Sequence, residues 1–316
     1  MPGPYVRSDV RTFLDFLNAL PGPKSHEAGP VEARVMMQRS RHVADAPTGE
    51  LAVIRDLACP GPAGEIPLRL YDARAQRGPA SLLIFFHGGG FVLGDLDTHE
   101  PFCAEIARQL DLPVLAVDYR LAPEHPFPAG AEDCIAAARW AAASPEALGR
   151  KVTGLVPCGD SAGGNLAIVV SLALRDEPAA APALAQWPIY PAADPARGYP
   201  SYEDFGEGYL LSHQSMRWFD DCYAGDPRDW RHSPMVKSQA GLPPTLVVTA
   251  SLDPIRDQGR AYAAACIQAG VETIFLEAEG TIHGFINLRK AVPSSEQDIA
   301  RCVEALKLLL KREADR

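Results

Sequence analysis

Runs of lysine and arginine are missing from this chain of 316 residues, which carries a formal charge of −10 and an isoelectric point near 5.3. Without a basic stripe there is no electrostatic footprint for a phosphate backbone, so nucleic acid is not an expected partner. An apolar leader or span is missing too. The one apolar stretch of the N-terminus, MPGPYVRSDVRTFLDFLNAL, is broken by Arg7, Asp9, Arg11 and Asp15. Neither a signal-peptide core nor stable membrane insertion fits it, and a cytoplasmic protein is expected. No C-x-x-C pair occurs among the seven cysteines, Cys59, Cys103, Cys134, Cys158, Cys222, Cys266 and Cys302. Their odd number and wide spacing argue against a disulfide framework or a zinc motif, and the thiols read as reduced, buried small apolar residues. Repeats and low-complexity tracts are absent, and the 29 prolines are scattered rather than gathered into a linker. With 47% hydrophobic and 22% charged residues, the chain can bury one large core or two modest ones.

What is present is alternation. Short apolar runs at Ser81 to Phe86, Leu112 to Val117, Val152 to Cys158, Thr245 to Thr249 and Thr273 to Leu276 have strand length, and helical patterns such as Ala131 to Ala143 and Asn165 to Leu174 lie between them. That order predicts an α/β fold, a mostly parallel central sheet with helices on both faces. A closing helix is expected behind a Ser295-x-x-Asp298 capping pattern, with Ile299, Val303, Leu306 and Leu310 on its buried face. Two segments break the alternation. Residues 8–20 place Val10, Phe13, Leu14 and Leu17 on one helical face, ahead of a proline- and glycine-broken stretch to about Pro30. Residues 192–228 insert a second interruption, with Ser212 as N-cap of a helix carrying Met216, Phe219 and Tyr223. The two are either peripheral decoration or a lid over the carboxyl ends of the strands.

Two glycine-rich motifs bring chemistry. GDSAG at 159–163 is a G-x-S-x-G sequence entered from an apolar strand and left by a helical pattern, which sets Ser161 on a tight strand-to-helix turn as a nucleophile. HGGGF at 87–91 ends another strand, and the N–H groups of Gly88 and Gly89, joined by that of Ala162, suit an oxyanion hole. A serine needs a base and the base a carboxylate. His283 in EGTIHGF lies beyond the last strand, whereas His232 and His213 fall in or near the insertion. Asp253 in SLDPIRD directly follows its strand, with Asp257 as fallback and a helix N-cap as the competing role for Asp253. His99-Glu100 is the nearest approach to a metal pair; lacking a third ligand, it reads as a solvated loop, and no metal or organic cofactor is expected.

HGGGF at 87–91, DYRLAPEHPFPA at 118–129, GDSAGGN at 159–165, DPIRD at 253–257 and HGF at 283–285 together resemble the bacterial hormone-sensitive-lipase family of esterases, the family IV carboxylesterases, over nearly the whole chain. The resemblance implies an α/β-hydrolase core at 46–191 and 229–316, capped by 1–45 and by an insertion at 192–228. It carries over Ser161 as nucleophile, Asp253 as acid and His283 as base, with Gly88, Gly89 and Ala162 as oxyanion donors. Phe91, Phe13, Leu17, Met216 and Phe219 are the side chains expected at the substrate, while His125 is expected to pack in a proline-flanked loop. The implied activity is hydrolysis of short- to medium-chain carboxylic esters, small molecules that need no macromolecular partner, with a homodimer left open. An amidase or deacetylase on the same triad, and a non-catalytic small-molecule-binding protein, are the alternatives.

Overall fold

The computed structural model describes residues 3–22 and 24–314. Its centre is built by side-chain alternation. In the strand Ala80–Phe86 (β3 in chain order), Leu82, Ile84 and Phe86 point into one core and Leu83 and Phe85 into the other, all five fully buried. A strand apolar on both faces must be covered on both, which the helical crossovers accomplish. The other strands are β1 Val53–Gly61, β2 Gly64–Asp72, β4 Val114–Val117, β5 Val152–Asp160, β6 Trp187–Ile189, β7 Thr245–Leu252 and β8 Thr273–Ile282. They form one eight-stranded sheet in the order β1-β2-β4-β3-β5-β6-β7-β8. From β4 to β8 all pairings are parallel; β1 and β2 form an antiparallel hairpin, and β2 pairs antiparallel with β4.

The helices are α1 Ser8–Ala19, α2 Ser25–Ala28, α3 Pro30–Ala44, α4 Glu100–Leu110, α5 Ala129–Ala142, α6 Ala162–Asp176, α7 Pro200–Phe205, α8 His213–Tyr223, α9 Arg256–Gln268 and α10 Ser295–Ala314. Ala131, Cys134, Ala137, Ala138 and Ala141 of α5 and Leu166, Ala167, Val169 and Val170 of α6 cover one sheet face. Phe102, Cys103, Ile106 and Ala107 of α4, with Ile299, Cys302, Val303, Leu306 and Leu309 of α10, cover the other. The expected helix start at Ser295 is present, but the expected cap is not: the Asp298 carboxylate pairs with Arg7 at 2.5 and 3.0 Å, and the Ser295 hydroxyl has no hydrogen-bond partner among the described residues. The reason is competition, since a charged bidentate guanidinium outbids a backbone amide for a carboxylate.

Arg7 belongs to the N-terminal segment, and its pairing shows where that segment sits. Val10 and Leu14 of α1 are buried in a cluster with Phe205, Leu252 and Ile282. Leu252 and Ile282 are the last residues of β7 and β8, so α1 packs over the carboxyl ends of those strands. The 192–228 segment arrives at the same place: Asn18 donates to the Gly208 carbonyl at 3.4 Å, and His26 of α2 meets the Ser215 hydroxyl of α8 at 3.4 Å. Ser212 caps α8 as its position implied, accepting from Ser215 N at 3.2 Å. At the far end of the N-terminal segment, buried Asp45 holds Arg289 at 2.7 and 2.9 Å.

Candidate active site

Ser161 occupies the turn between β5 and α6 with φ of +57°, a conformation strained for a residue with a side chain. Its backbone is held on both sides: its N–H donates to the Ile189 carbonyl (2.9 Å), and its own carbonyl accepts from Asn165 (3.1 Å) and Ala192 (3.2 Å). The flanking glycines are required by close approach, because a methyl at Gly159 would collide with the Gly163 carbonyl and one at Gly163 with the Phe86 carbonyl.

His283 is the first residue after β8 and Asp253 the first after β7, so the ends of parallel strands deliver both side chains to the same edge as Ser161. His283 Nε2 lies 2.9 Å from Ser161 Oγ, and His283 Nδ1 lies 2.7 Å from Asp253 Oδ2. The series runs from a half-buried hydroxyl through a nearly buried imidazole to a fully buried carboxylate. Asp253 does not take the competing role of helix N-cap, since α9 has Ile255 at its N-cap with no side-chain cap bond; Asp253 Oδ1 instead accepts from Ile255 N at 2.9 Å in the turn before the helix. Asp257 is occupied elsewhere, by Ser201 N at 3.0 Å and by Arg256 and Arg260. Of the other histidines, His232 packs on Phe127 and Tyr223, His213 packs on Tyr202, and His125 is exposed rather than packed.

The glycine loop differs from expectation at one position. Gly88 does not present its N–H to a substrate, because it donates it to the buried Asp160 carboxylate at 2.7 Å. Its lack of a side chain serves that same contact, since a Cβ would stand 2.5 Å from Asp160 Oδ2. The amides of Gly89 and Gly90 make no hydrogen bond among the described residues, and Ala162 opens α6, where first-turn amides have no intrahelical acceptor. Gly90, at φ +62°, lies directly beneath the Phe219 ring of α8.

The expected substrate side chains divide. Phe219 lies on the glycine loop, and Met216 is buried. Phe13 and Leu17 are half-buried on α1, Phe13 against the Val10 and Leu14 cluster. Phe91 is a packing residue, its ring stacked on Tyr223 at 3.9 Å with 7° between planes. A side chain that the sequence did not single out also borders the base: Leu210, at φ +75° and 40% exposed, reaches over Gly284, the residue after His283.

His99 is not in a solvated loop. It is buried, with Nδ1 at 2.9 Å from Thr98 Oγ1 and Nε2 at 3.3 Å from Asp160 Oδ1, while Glu100 pairs with Arg69. The Asp160 carboxyl sits below the usual carboxylate range: burial opposes its charge, but His99, the Gly88 N–H and His283 outweigh that. His87 is pushed down to about 4 by burial and by the neighbouring His99, which makes it a neutral packing ring. Six of the seven cysteines are buried and Cys222 is half-buried; burial pushes the Cys59 and Cys266 thiols up to about 11, leaving no thiolate at neutral pH. Among the described residues no group of three His, Cys, Asp or Glu side chains is placed to hold a metal ion, and no helix is long and apolar enough to cross a membrane.

A doubly covered sheet with serine, imidazole and carboxylate in line at its carboxyl edge is the arrangement of an α/β-hydrolase. Residues 83–287 match the alpha/beta hydrolase fold family Abhydrolase_3. The chain is 44% identical to the carboxylic ester hydrolase LipN of Mycobacterium tuberculosis over 273 residues, 82% of this chain and 71% of that protein. It is 37% identical to an ethyl acetate hydrolase of Pseudomonas putida over 284 residues, 87% of this chain and 89% of that one. An ester-hydrolase from the metagenome of Lake Arreo, solved with a bipyridine phosphonate derivative, superposes with a TM-score of 0.91 at 36% identity, covering 96% of this chain and 98% of its own. The chain belongs to this α/β-hydrolase family, in its bacterial hormone-sensitive-lipase branch, the family IV carboxylesterases, and is a serine hydrolase of that class.

Proposed function

We propose that the protein hydrolyses short- to medium-chain carboxylic esters through an acyl-enzyme on Ser161, beneath a cap formed by residues 1–45 and 192–228. The observation that carries this reading is the unbroken line from Asp253 through His283 to Ser161, at 2.7 and 2.9 Å. As Ser161 Oγ attacks the ester carbonyl, its proton passes to His283 Nε2 and the carbonyl oxygen becomes an oxyanion facing the N–H groups of Gly89, Gly90 and Ala162. Each such donor is worth about 3 kcal/mol of barrier in comparable sites. His283 then protonates the departing alkoxide, which leaves as an alcohol. In the second half a water loses its proton to His283 as it attacks the acyl carbon, and Ser161 Oγ leaves with that proton as the carboxylic acid is released. Asp253 keeps the proton on Nδ1 and stabilises the imidazolium in both halves.

Chain-length preference follows from the cap. Phe219 and Met216 on α8, with Phe13 and Leu17 on α1, offer apolar surface on two short helices but no extended groove for a long lipid. Across nitrophenyl esters from acetate to palmitate, kcat/KM is expected to peak at short or medium acyl chains and collapse for the longest. Highest activity on palmitate would overturn the chain-length reading, and faster cleavage of the matched anilides than of the esters would favour an amidase.

The N-terminal segment does more than cover the pocket, because Val10 and Leu14 pack on Leu252 and Ile282, the residues directly before Asp253 and His283. Deleting residues 1–30 is therefore expected to lower kcat on a short ester as well as to alter chain preference, since acid and base lose the packing behind them. A soluble truncated protein with unchanged kcat, KM and chain preference would show the segment to be decoration.

A further inference from the structure

Asp160, the residue before Ser161, is a charged side chain at the last position of a buried strand, 4% exposed, and no step of ester hydrolysis calls for it. Burying a carboxylate costs several kcal/mol unless its oxygens are satisfied, so its partners indicate its use. Oδ1 accepts the Gly88 N–H at 2.7 Å, and His99 Nε2 stands 3.3 Å from the same oxygen, out of line for a good hydrogen bond. The Tyr190 hydroxyl donates to Oδ2 at 3.4 Å, while the Tyr190 ring packs 4.6 Å from the His283 ring. The carboxylate thus bridges the ends of neighbouring strands, since Phe86 of β3 pairs with Gly159 of β5 and the glycine loop and the serine turn leave the sheet side by side.

The rest of the loop is pinned around that bond. The His87 carbonyl accepts the Tyr119 hydroxyl at 2.7 Å, and the Gly89 carbonyl accepts from Val92 and Leu93 at 3.1 and 2.8 Å. With those carbonyls and the Gly88 N–H tied down, the glycine amides of the loop that make no hydrogen bond among the described residues are those of Gly89 and Gly90. We propose that Asp160 is a positioning residue: by holding the Gly88 N–H it turns the next two amides of the glycine loop toward the oxyanion formed on the Ser161 ester adduct. This rests on the acyl-transfer reading above and extends it by coupling the nucleophile turn to the oxyanion loop through one side chain. It also accounts for Gly88, a glycine because a carboxylate lies against it.

The test compares Asp160→Asn, which keeps an acceptor for Gly88 in nearly the same volume, with Asp160→Ala, which removes it. Each is assayed with nitrophenyl butyrate and with a butyryl-like trifluoromethyl ketone, which adds to a serine hydroxyl and places an oxyanion where the ester's would form. Asp160→Ala is expected to lose about a hundredfold in kcat, the scale of one misplaced oxyanion donor, with KM changed by less than about threefold. Its affinity for the ketone should fall in parallel with kcat/KM, while Asp160→Asn stays within about tenfold of the parent in both. A general packing defect would lower the amount of active protein, read by titrating active sites, without lowering ketone affinity per site. If Asp160→Ala does not fold, the asparagine variant decides alone: a loss in ketone affinity of a hundredfold or so would mean that the charge, not the acceptor, matters, and would overturn the proposal. An unimpaired alanine variant would overturn it too, leaving the acyl-transfer reading intact. An unmutated protein inert toward both ester and ketone would instead sink that reading and this proposal with it.

Discussion

Ser161→Ala is expected to leave a folded protein whose ester hydrolysis is lower by several orders of magnitude, approaching the millionfold scale on which loss of a triad nucleophile is felt. The folded state has little reason to change. The φ of +57° at this position is imposed by the Ile189, Asn165 and Ala192 backbone contacts, none of which involves the hydroxyl. What is lost is the hydrogen bond of Oγ to His283 Nε2 at 2.9 Å, worth about 1 kcal/mol, and the half-buried site lets water take its place. Thermal unfolding should therefore shift by a few degrees at most. Some catalysis over water survives, because the oxyanion donors still bind the carbonyl oxygen. Turnover of nitrophenyl butyrate within tenfold or so of the parent would sink Ser161 as the nucleophile, since triad removal never costs so little.

The residues nearest the chemistry were legible in the sequence for a local reason. Ser161, Asp253 and His283 each directly follow a strand that opens on an apolar run, so the sequence announces the strand and the exit toward the site, although β8 runs on past its apolar start through Glu277 and Glu279 to Ile282. The sheet was legible where strands are apolar on both faces. It was not at β1, whose residues are mostly exposed, nor at β6, three residues that include Pro188 and take their place from the strands on either side. The N-terminal α3 was hidden as well: only Ala33 is buried, so its pattern carries no apolar stripe. Gly88 was misjudged because its partner Asp160 lies 72 residues away, and no local pattern tells an amide free to bind substrate from one already committed. His99 went astray similarly, since beside Glu100 it reads as polar, yet the contacts that bury it come from Phe85, His87 and Asp160 on other elements. Side chains meeting across the ends of strands are a property of the fold, and the resemblance of motifs carries their identities but not their hydrogen bonds.

Asp253→Asn is expected to lower kcat/KM by about ten-thousandfold, the effect known for the same exchange in other triads. The geometry here gives a specific cause. Asp253 uses both oxygens, Oδ1 for the Ile255 N–H at 2.9 Å and Oδ2 for His283 Nδ1 at 2.7 Å. An asparagine has one carbonyl oxygen, and the Ile255 amide, a buried donor, claims it. The NH₂ group then faces His283 Nδ1, which has to accept, so the imidazole proton moves to Nε2 and points at Ser161 Oγ. In that tautomer the ring cannot take the serine proton. Rotating the amide would restore the tautomer only by setting its NH₂ against the Ile255 N–H, two donors face to face. Asp257→Asn serves as the comparison, because Asp257 bonds to Ser201 N, Arg256 and Arg260 instead of the imidazole, and activity should stay within about threefold. Measured side by side on nitrophenyl butyrate, with folding checked by thermal unfolding, a damaging Asp257→Asn beside a mild Asp253→Asn would move the orienting carboxylate to Asp257.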